Sequence, residues 1–424
     1  MKVLIVNTSE RTGGAAVAAN RLMKALNNNG VKAKMLVRDK ETDALTVVGL
    51  PSSPWLRWAF LWERLVIFCR LHFSRKHLFE IDIANAGTDI TRLREFHEAD
   101  IIHLHWINQG MLSLGNIRKI LRSGKPVVWT MHDIWPATAI CHLTLECRNF
   151  TTQCNHCRLL PGGGSGKDLS TAVWHRKRRM VADENIYYVA CSHWLESEAK
   201  RSALLKGQKI TSIPNPIDTH IYKKGDKVEA RKRLGLPLDR KLILFASQRV
   251  TNENKGMSYL IESCLLLSTQ YPEMKDQTGI VILGGHAEEL VGQLPFETFP
   301  LGYVNDEQRI VDVYNAADVF VLPSLSENLP NTIMEAMACG VPCVGFKVGG
   351  ISEEIDHLHN GYVAAYRQAG DLAKGIRWVL SEADYDVLSD SAIHKVAQHY
   401  SQQSVALRYL DVYQQAMAFK HYRL

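Results

Sequence analysis

Along the first half of the chain, short apolar runs alternate with longer stretches whose apolar positions recur every three to four residues. The runs at 3–6, 34–37, 101–104, 127–131 and 187–190 have the length and continuous apolar character of strands buried on both faces. Between them, 15–29, 116–123 and the stretch around 174–184 carry helical spacing. Strands that alternate with helices predict a doubly wound parallel sheet. A second series begins after Ile213-Pro214-Asn215-Pro216-Ile217-Asp218, where two prolines break regular structure. Its clearest strands are 242–246, 279–283, 319–322 and 343–346. The pattern predicts two α/β domains, 1–215 and 216–403, with no internal repeat or low-complexity tract.

A length of 424 residues agrees, being too great for one ordinary core. Apolar content of 46% and charged content of 22% describe a globular protein. The 50 basic and 44 acidic residues leave a charge of only +6, with no long basic run to suggest nucleic acid. A negatively charged ligand or membrane surface is compatible with that charge. Residues 1–7 read as a strand and not a signal peptide, and no window of about 18 apolar residues predicts a membrane span. The nine cysteines are accordingly expected as reduced thiols or metal ligands in the cytoplasm.

Chemistry concentrates in Ser324-Leu325-Ser326-Glu327-Asn328-Leu329-Pro330-Asn331-Thr332-Ile333-Met334-Glu335. The preceding run, 318–323, reads as a buried strand ended by proline. Asn331 or Thr332 would cap a helix that stops at Gly340. Glu327 would then lie in a loop at the carboxyl end of a strand, with Glu335 one to two turns into the helix. Both would face the crevice where open α/β sheets bind ligands. Carboxylates that only accept hydrogen bonds suit a hydroxyl-rich ligand such as a sugar or ribose.

This segment resembles the Glu-x7-Glu signature of the retaining family-4 glycosyltransferases, including the Pro-Ser before Glu327 and the Glu-Ala-Met-Ala-Cys-Gly-Val-Pro of 335–342. The resemblance implies the GT-B fold: two doubly wound Rossmann-like domains facing across a cleft. It also implies a C-terminal helix, 404–424, that packs back on the N-terminal domain. The N-terminal domain would bind the acceptor and the C-terminal domain a nucleotide diphosphate sugar. Glu327 would contact donor hydroxyls, Glu335 the ribose, and the backbone of Asn328, Leu329, Pro330 and Asn331 the diphosphate and sugar. Arg249 and Lys255-Gly256 match the family's two cations, which bind the diphosphate and offset its charge as it leaves. Gly284, closing a strand, would let backbone approach the ligand. Chemistry in the family proceeds without a catalytic metal.

In the N-terminal half, Thr12-Gly13-Gly14 is not a dinucleotide fingerprint, but a glycine turn before a helix still favours an anion. The resemblance places Gly13 and Gly14 against donor phosphates. Thr130-Met131-His132-Asp133 resembles the family's His-Asp element, which gives His132 a hydrogen-bonding role toward sugar or acceptor and leaves Asp133 to orient the ring or cap a turn. His103 reads as a core histidine satisfied by backbone.

Cys141, Cys147, Cys154 and Cys157 follow within a short stretch, with His142 and His156 as further candidate ligands. A structural zinc site, disulfides or a redox pair, and plain thiols all remain open. The insert resembles a subset of bacterial family-4 enzymes of exopolysaccharide and colanic-acid-type assembly. In 54–77, tryptophans and leucines at helical spacing stand beside arginines. That pattern fits either a helix packed on its own domain or one lying on a membrane surface, which would suit a lipid-linked saccharide acceptor. The expected activity is retaining hexosyl transfer in surface polysaccharide assembly, in the cytoplasm or peripherally at the inner face of the membrane. A GT-B epimerase or phosphorylase, or a non-catalytic saccharide-binding scaffold, are the alternatives.

Overall fold

The computed structural model describes residues 1–182 and 184–421, which form two compact units. The first comprises Met1–Pro216 with the C-terminal stretch from Val405, and the second Ile217–Ser404. In the first lie strands β1 (Lys2–Ser9), β2 (Lys32–Asp39), β3 (Val47–Gly49), β4 (Ile101–Leu104), β5 (Val127–Met131), β6 (Tyr187–Ala190) and β7 (Lys209–Ser212). Among the described residues they make one sheet in the order β3-β2-β1-β4-β5-β6-β7, and every pairing is parallel. The second unit contains β8 (Lys241–Arg249), β9 (Thr278–Gly285), β10 (Glu297–Gly302), β11 (Val319–Leu322), β12 (Cys343–Phe346) and β13 (Gly361–Ala364). Its order is β10-β9-β8-β11-β12-β13, again wholly parallel.

Parallel strands need crossover helices on the sheet faces, so their residues are buried from both sides. The central β4, β5, β11 and β12 are buried at every position, which explains their uninterrupted apolar runs. The edge strands β3, β7, β10 and β13 were not among the predicted strands. β7 and β10 are half-buried or exposed throughout, and β10 contains Pro300, so neither displays an apolar run.

Strand order reverses direction between β1 and β4 in the first sheet and between β8 and β11 in the second. Each reversal opens a crevice at the strands' carboxyl ends.

The final helix, Gln402–His421, buries Val405, Ala406, Tyr409, Val412 and Tyr413 in one cluster with Val3 and Ile5 of β1 and Val128 of β5. The Tyr413 hydroxyl lies 2.8 Å from His103 Nδ1, and the Tyr409 hydroxyl 2.9 Å from Thr130 Oγ1. The expected extension of this helix over 422–424, and Asp183 of the expected helix at 174–184, lie outside the described residues. His103 is fully buried, and its partners are the side chains of Tyr413 and Thr130, not backbone as expected.

Candidate active site

In the second unit, β8 ends at Arg249, exposed, with its Nε donating to Thr251 Oγ1 at 3.1 Å. The following loop is drawn over the end of β11. Leu325 N donates to Asn254 O at 2.8 Å, and Asn254 Nδ2 donates to Ser326 O at 2.9 Å. Gly256 has φ +70°, and a Cβ there would lie 1.9 Å from the Pro323 carbonyl oxygen, so no other residue fits without moving the loop. That approach places the Lys255 ammonium in an ion pair with Glu327 Oε1, an oxygen that also accepts from the Ser324 hydroxyl at 3.0 Å. Glu327 is held from the other side as well. Gly350 N donates to Asn328 O at 2.7 Å, and a Cβ on Gly349 would lie 1.7 Å from Glu327 O. Gly284, at the end of β9, passes within Cβ-clash distance of Ser247 O in the next strand. Its glycine is therefore required by its neighbour β8, independently of any ligand.

The helix after the loop runs Asn331–Ala338. Neither Asn331 nor Thr332 caps it: Pro330 occupies the N-cap position, with no side-chain cap bond. Pro330, with φ −72°, suits a helix start, where its missing N–H leaves no donor to satisfy. Glu335 is nearly buried, its Oε2 accepting from the Tyr314 hydroxyl at 2.8 Å. Burial and this carboxylate push the Tyr314 phenol well above its ordinary range, so it remains a donor. Ser324 and Tyr314 are partners that no spacing in the sequence disclosed.

In the first unit, Gly13 precedes the helix Gly14–Asn28 with φ +93°, and a Cβ there would meet nothing within 4 Å. Its glycine is demanded by backbone conformation, and the space before the helix is open. His132 follows β5. Its Nε2 lies 2.9 Å from His105 Nδ1 and its Nδ1 3.5 Å from Cys191 Sγ, the His105 and His132 rings stacked. Burial, with Asp133 opposing it, takes His132 down to about 4, so at neutral pH it is a neutral hydrogen-bonding group and a poor base. Asp133 has three partners of its own. It caps the turn at Trp135 N (2.8 Å), accepts from Trp106 Nε1 (3.0 Å) and pairs with His142 Nδ1 (2.7 Å).

His142 Nε2 lies 2.6 Å from Asp82 Oδ2, and Asp82 pairs in turn with Arg64. Burial disfavours the His142 cation, but Asp133 and Asp82 outweigh it and push the ring up to about 10. With both ring nitrogens facing carboxylates, His142 is not available as the metal ligand considered above. His156 is exposed. Cys141, Cys147, Cys154 and Cys157 are free thiols. Burial raises Cys141 to about 11 and Cys154 to about 12, with neighbouring cysteines adding to the effect. Among the described residues, no group of three or more His, Cys, Asp or Glu side chains is arranged to hold a metal ion. The glycine-rich Gly162–Lys167 segment is pinned by Asp168, whose Oδ2 accepts from Cys157 N and Ser165 N.

Two doubly wound parallel sheets, one carrying a lysine–glutamate pair at its switch point, define a protein of the GT-B class of folds. Residues 12–221 match Glycosyltransferase Family 4 and residues 226–394 match Glycosyl transferases group 1. The chain belongs to the family-4 glycosyltransferases of the GT-B fold. An uncharacterized glycosyltransferase of Methanocaldococcus jannaschii is 26% identical over 80% of this chain and 90% of its own length. The N-acetyl-alpha-D-glucosaminyl L-malate synthase of Bacillus anthracis is 26% identical over 59% of this chain and 64% of its own. The D-inositol 3-phosphate glycosyltransferase of Acidothermus cellulolyticus is 25% identical over 63% and 57% respectively. Among solved structures, the sucrose-phosphate synthase of Thermosynechococcus elongatus matches 98% of this chain and 99% of its own with TM-score 0.68. Anabaena HepE, solved with UDP-glucose, matches 98% and 100% with TM-score 0.63. Both are 18% identical and speak for the fold alone.

Proposed function

We propose that the chain is a retaining glycosyltransferase that moves a sugar from a nucleotide diphosphate sugar to a saccharide or lipid-linked saccharide acceptor in surface polysaccharide assembly. The observation that carries the reading is the Lys255–Glu327 pair at the carboxyl ends of β8 and β11, with Arg249 exposed at the end of β8. A carboxylate whose charge is balanced by a neighbouring ammonium can accept from sugar hydroxyls without repelling a diphosphate beside it. HepE, crystallised with UDP-glucose on the same fold, supports a nucleotide sugar as the donor.

In this reading Arg249 and Lys255 bind the diphosphate, and the backbone of Asn328–Asn331 and Gly284 approaches phosphate and sugar. Glu327 orients the donor sugar, Glu335 holds the ribose, and His132 donates or accepts at a sugar hydroxyl. Gly13 and Gly14 approach the phosphates. The bond from the anomeric carbon to the diphosphate breaks with its electron pair leaving on phosphate oxygen, where the two cations stabilise it. The acceptor hydroxyl bonds to the same face of that carbon and passes its proton to the departing diphosphate. No protein carboxylate acts as nucleophile, and no step is routed through a metal.

The test is a thermal-shift panel of nucleotide diphosphate sugars, followed by a transfer assay with the stabilising donor and NMR of the product. A selective rise in melting temperature and a product that keeps the donor's anomeric configuration are expected. A product of inverted configuration would overturn the retaining mechanism. Turnover without acceptor, or only with inorganic phosphate, would instead favour an epimerase or phosphorylase.

A further inference from the structure

The helix Pro54–Arg70 is seated on the first unit by Ala59, Glu63, Arg64 and Ile67, all buried. The seat is close. Gly110 has φ +81°, and a Cβ there would fall 2.6 Å from Phe60 N, so helix backbone rests directly on loop backbone. Glu63 accepts from Ile83 N at 2.9 Å and Ala84 N at 2.6 Å, and Arg64 pairs with Asp82. Arg64 is therefore a structural cation and no part of a surface.

The opposite face is turned to solvent. Trp55, Trp58, Leu61, Trp62 and Leu65 are 53%, 63%, 54%, 52% and 51% exposed, at spacings that align them on one stripe of the helix. A contiguous exposed apolar stripe rimmed by polar residues marks an interaction surface. Around this stripe Arg57, Arg70, Arg75 and Lys76 are exposed, whereas the acids of 51–80 are Glu63, buried, and Glu80, which lies 3.0 Å from His77. Three tryptophans flanked by cations match the interfacial zone of a bilayer, where indole sits at headgroup depth and basic side chains meet anionic headgroups. No helix among the described residues is long and apolar enough to cross a membrane, which leaves this one to lie in the interface plane.

We propose that the exposed face of Pro54–Arg70 docks the protein on an anionic lipid bilayer. Resting on the glycosyltransferase reading, this makes the acceptor a saccharide presented at a membrane surface. The docking itself does not depend on that reading.

The full chain is floated with phosphatidylcholine vesicles, with and without phosphatidylglycerol, while tryptophan emission is recorded. Flotation with a blue shift is expected with the anionic vesicles, at an affinity at least about tenfold above that for the neutral ones, and weakening with salt. The double variant Trp58→Glu/Trp62→Glu, at exposed positions, should keep its melting temperature and lose at least about tenfold in vesicle affinity. The variant Arg70→Glu/Arg75→Glu should lose the preference for anionic lipid. Absence of flotation with anionic vesicles overturns the proposal. So does a dimer, seen by light scattering, that Trp58→Glu/Trp62→Glu dissolves, since a second copy would then cover the stripe. Nucleotide-sugar binding, measured separately by calorimetry, should survive in the tryptophan variant. Flotation without donor binding in the wild type would sink the transferase reading and leave the docking surface standing.

Discussion

Gly256 offers a test in which geometry sets the size of the effect. Gly256 and Gly235 both lie in the second unit in left-handed conformation, at φ +70° and +67°. A Cβ at Gly235, which follows the helix Lys227–Leu234, would meet nothing within 4 Å, whereas one at Gly256 would lie 1.9 Å from Pro323 O. Gly235→Ala therefore measures the conformational penalty alone, about 1–2 kcal/mol. For a domain of this size that lowers Tm by roughly 2–4 °C per kcal/mol. Gly256→Ala carries the same penalty and in addition must open its contact by about 1.5 Å to reach ordinary van der Waals separation. The displacement falls on the residue next to Lys255, and a misplacement of about 1 Å in a catalytic group can cost about 10²-fold. Donor turnover and calorimetric Tm, compared for the two variants, separate the terms. Gly235→Ala should lose stability and keep kcat/KM, and Gly256→Ala should lose stability and fall about 10²-fold in kcat/KM. If Gly256→Ala turns over within threefold of Gly235→Ala, the loop's position is not what sets Lys255, and the reasoning fails.

Further outcomes follow from individual contacts. Lys255→Ala and Glu327→Ala should each lower kcat about 10²–10³-fold with little change in Tm, and near-wild-type turnover in either would sink its assigned role. His142 is held protonated in the folded state up to about pH 10, against about 6.5 unfolded, so its stabilising contribution is complete below pH 6.5 and fades as pH rises to 10. The stability gap between wild type and His142→Gln, from urea unfolding, should amount to about a few kcal/mol at pH 6 and shrink by pH 9.5; a constant gap would refute the charge assignment. Tyr413→Phe removes the partner of His103 Nδ1 and should cost about 1–3 kcal/mol in urea unfolding of the first unit, and a neutral substitution would show that contact to be dispensable.

How far each element could be read in advance depended on where its burial comes from. β4, β5, β6, β11 and β12 have the bounds their apolar runs predicted, because central parallel strands are covered on both faces and every position must be apolar. The edge strands β7 and β10 pair on one side only, so polar residues are tolerated and the pattern vanishes. The Glu-x7-Glu phrase was plain in the text because a strand, a loop and a helix start lie in one continuous segment. What it could not show was which oxygen meets which partner: Lys255 and Glu327 stand 72 residues apart and meet only because β8 and β11 are neighbours at the switch point.

The sequence by itself determined the two series of alternating strands and helices and the strand–loop–helix segment that carries Glu327 and Glu335. Each of these is a local property of spacing and composition. Tertiary structure alone decided the chemistry of individual groups. Among four similar histidines it made His103, His105 and His132 neutral by burial and His142 a cation between Asp82 and Asp133. It likewise sent Arg64 inward to Asp82 and left Arg57 and Arg70 outside on the same helix. The reason is physical: a charge state is fixed by the dielectric and the partners within a few ångströms, and chain order does not specify those until the sheets have formed.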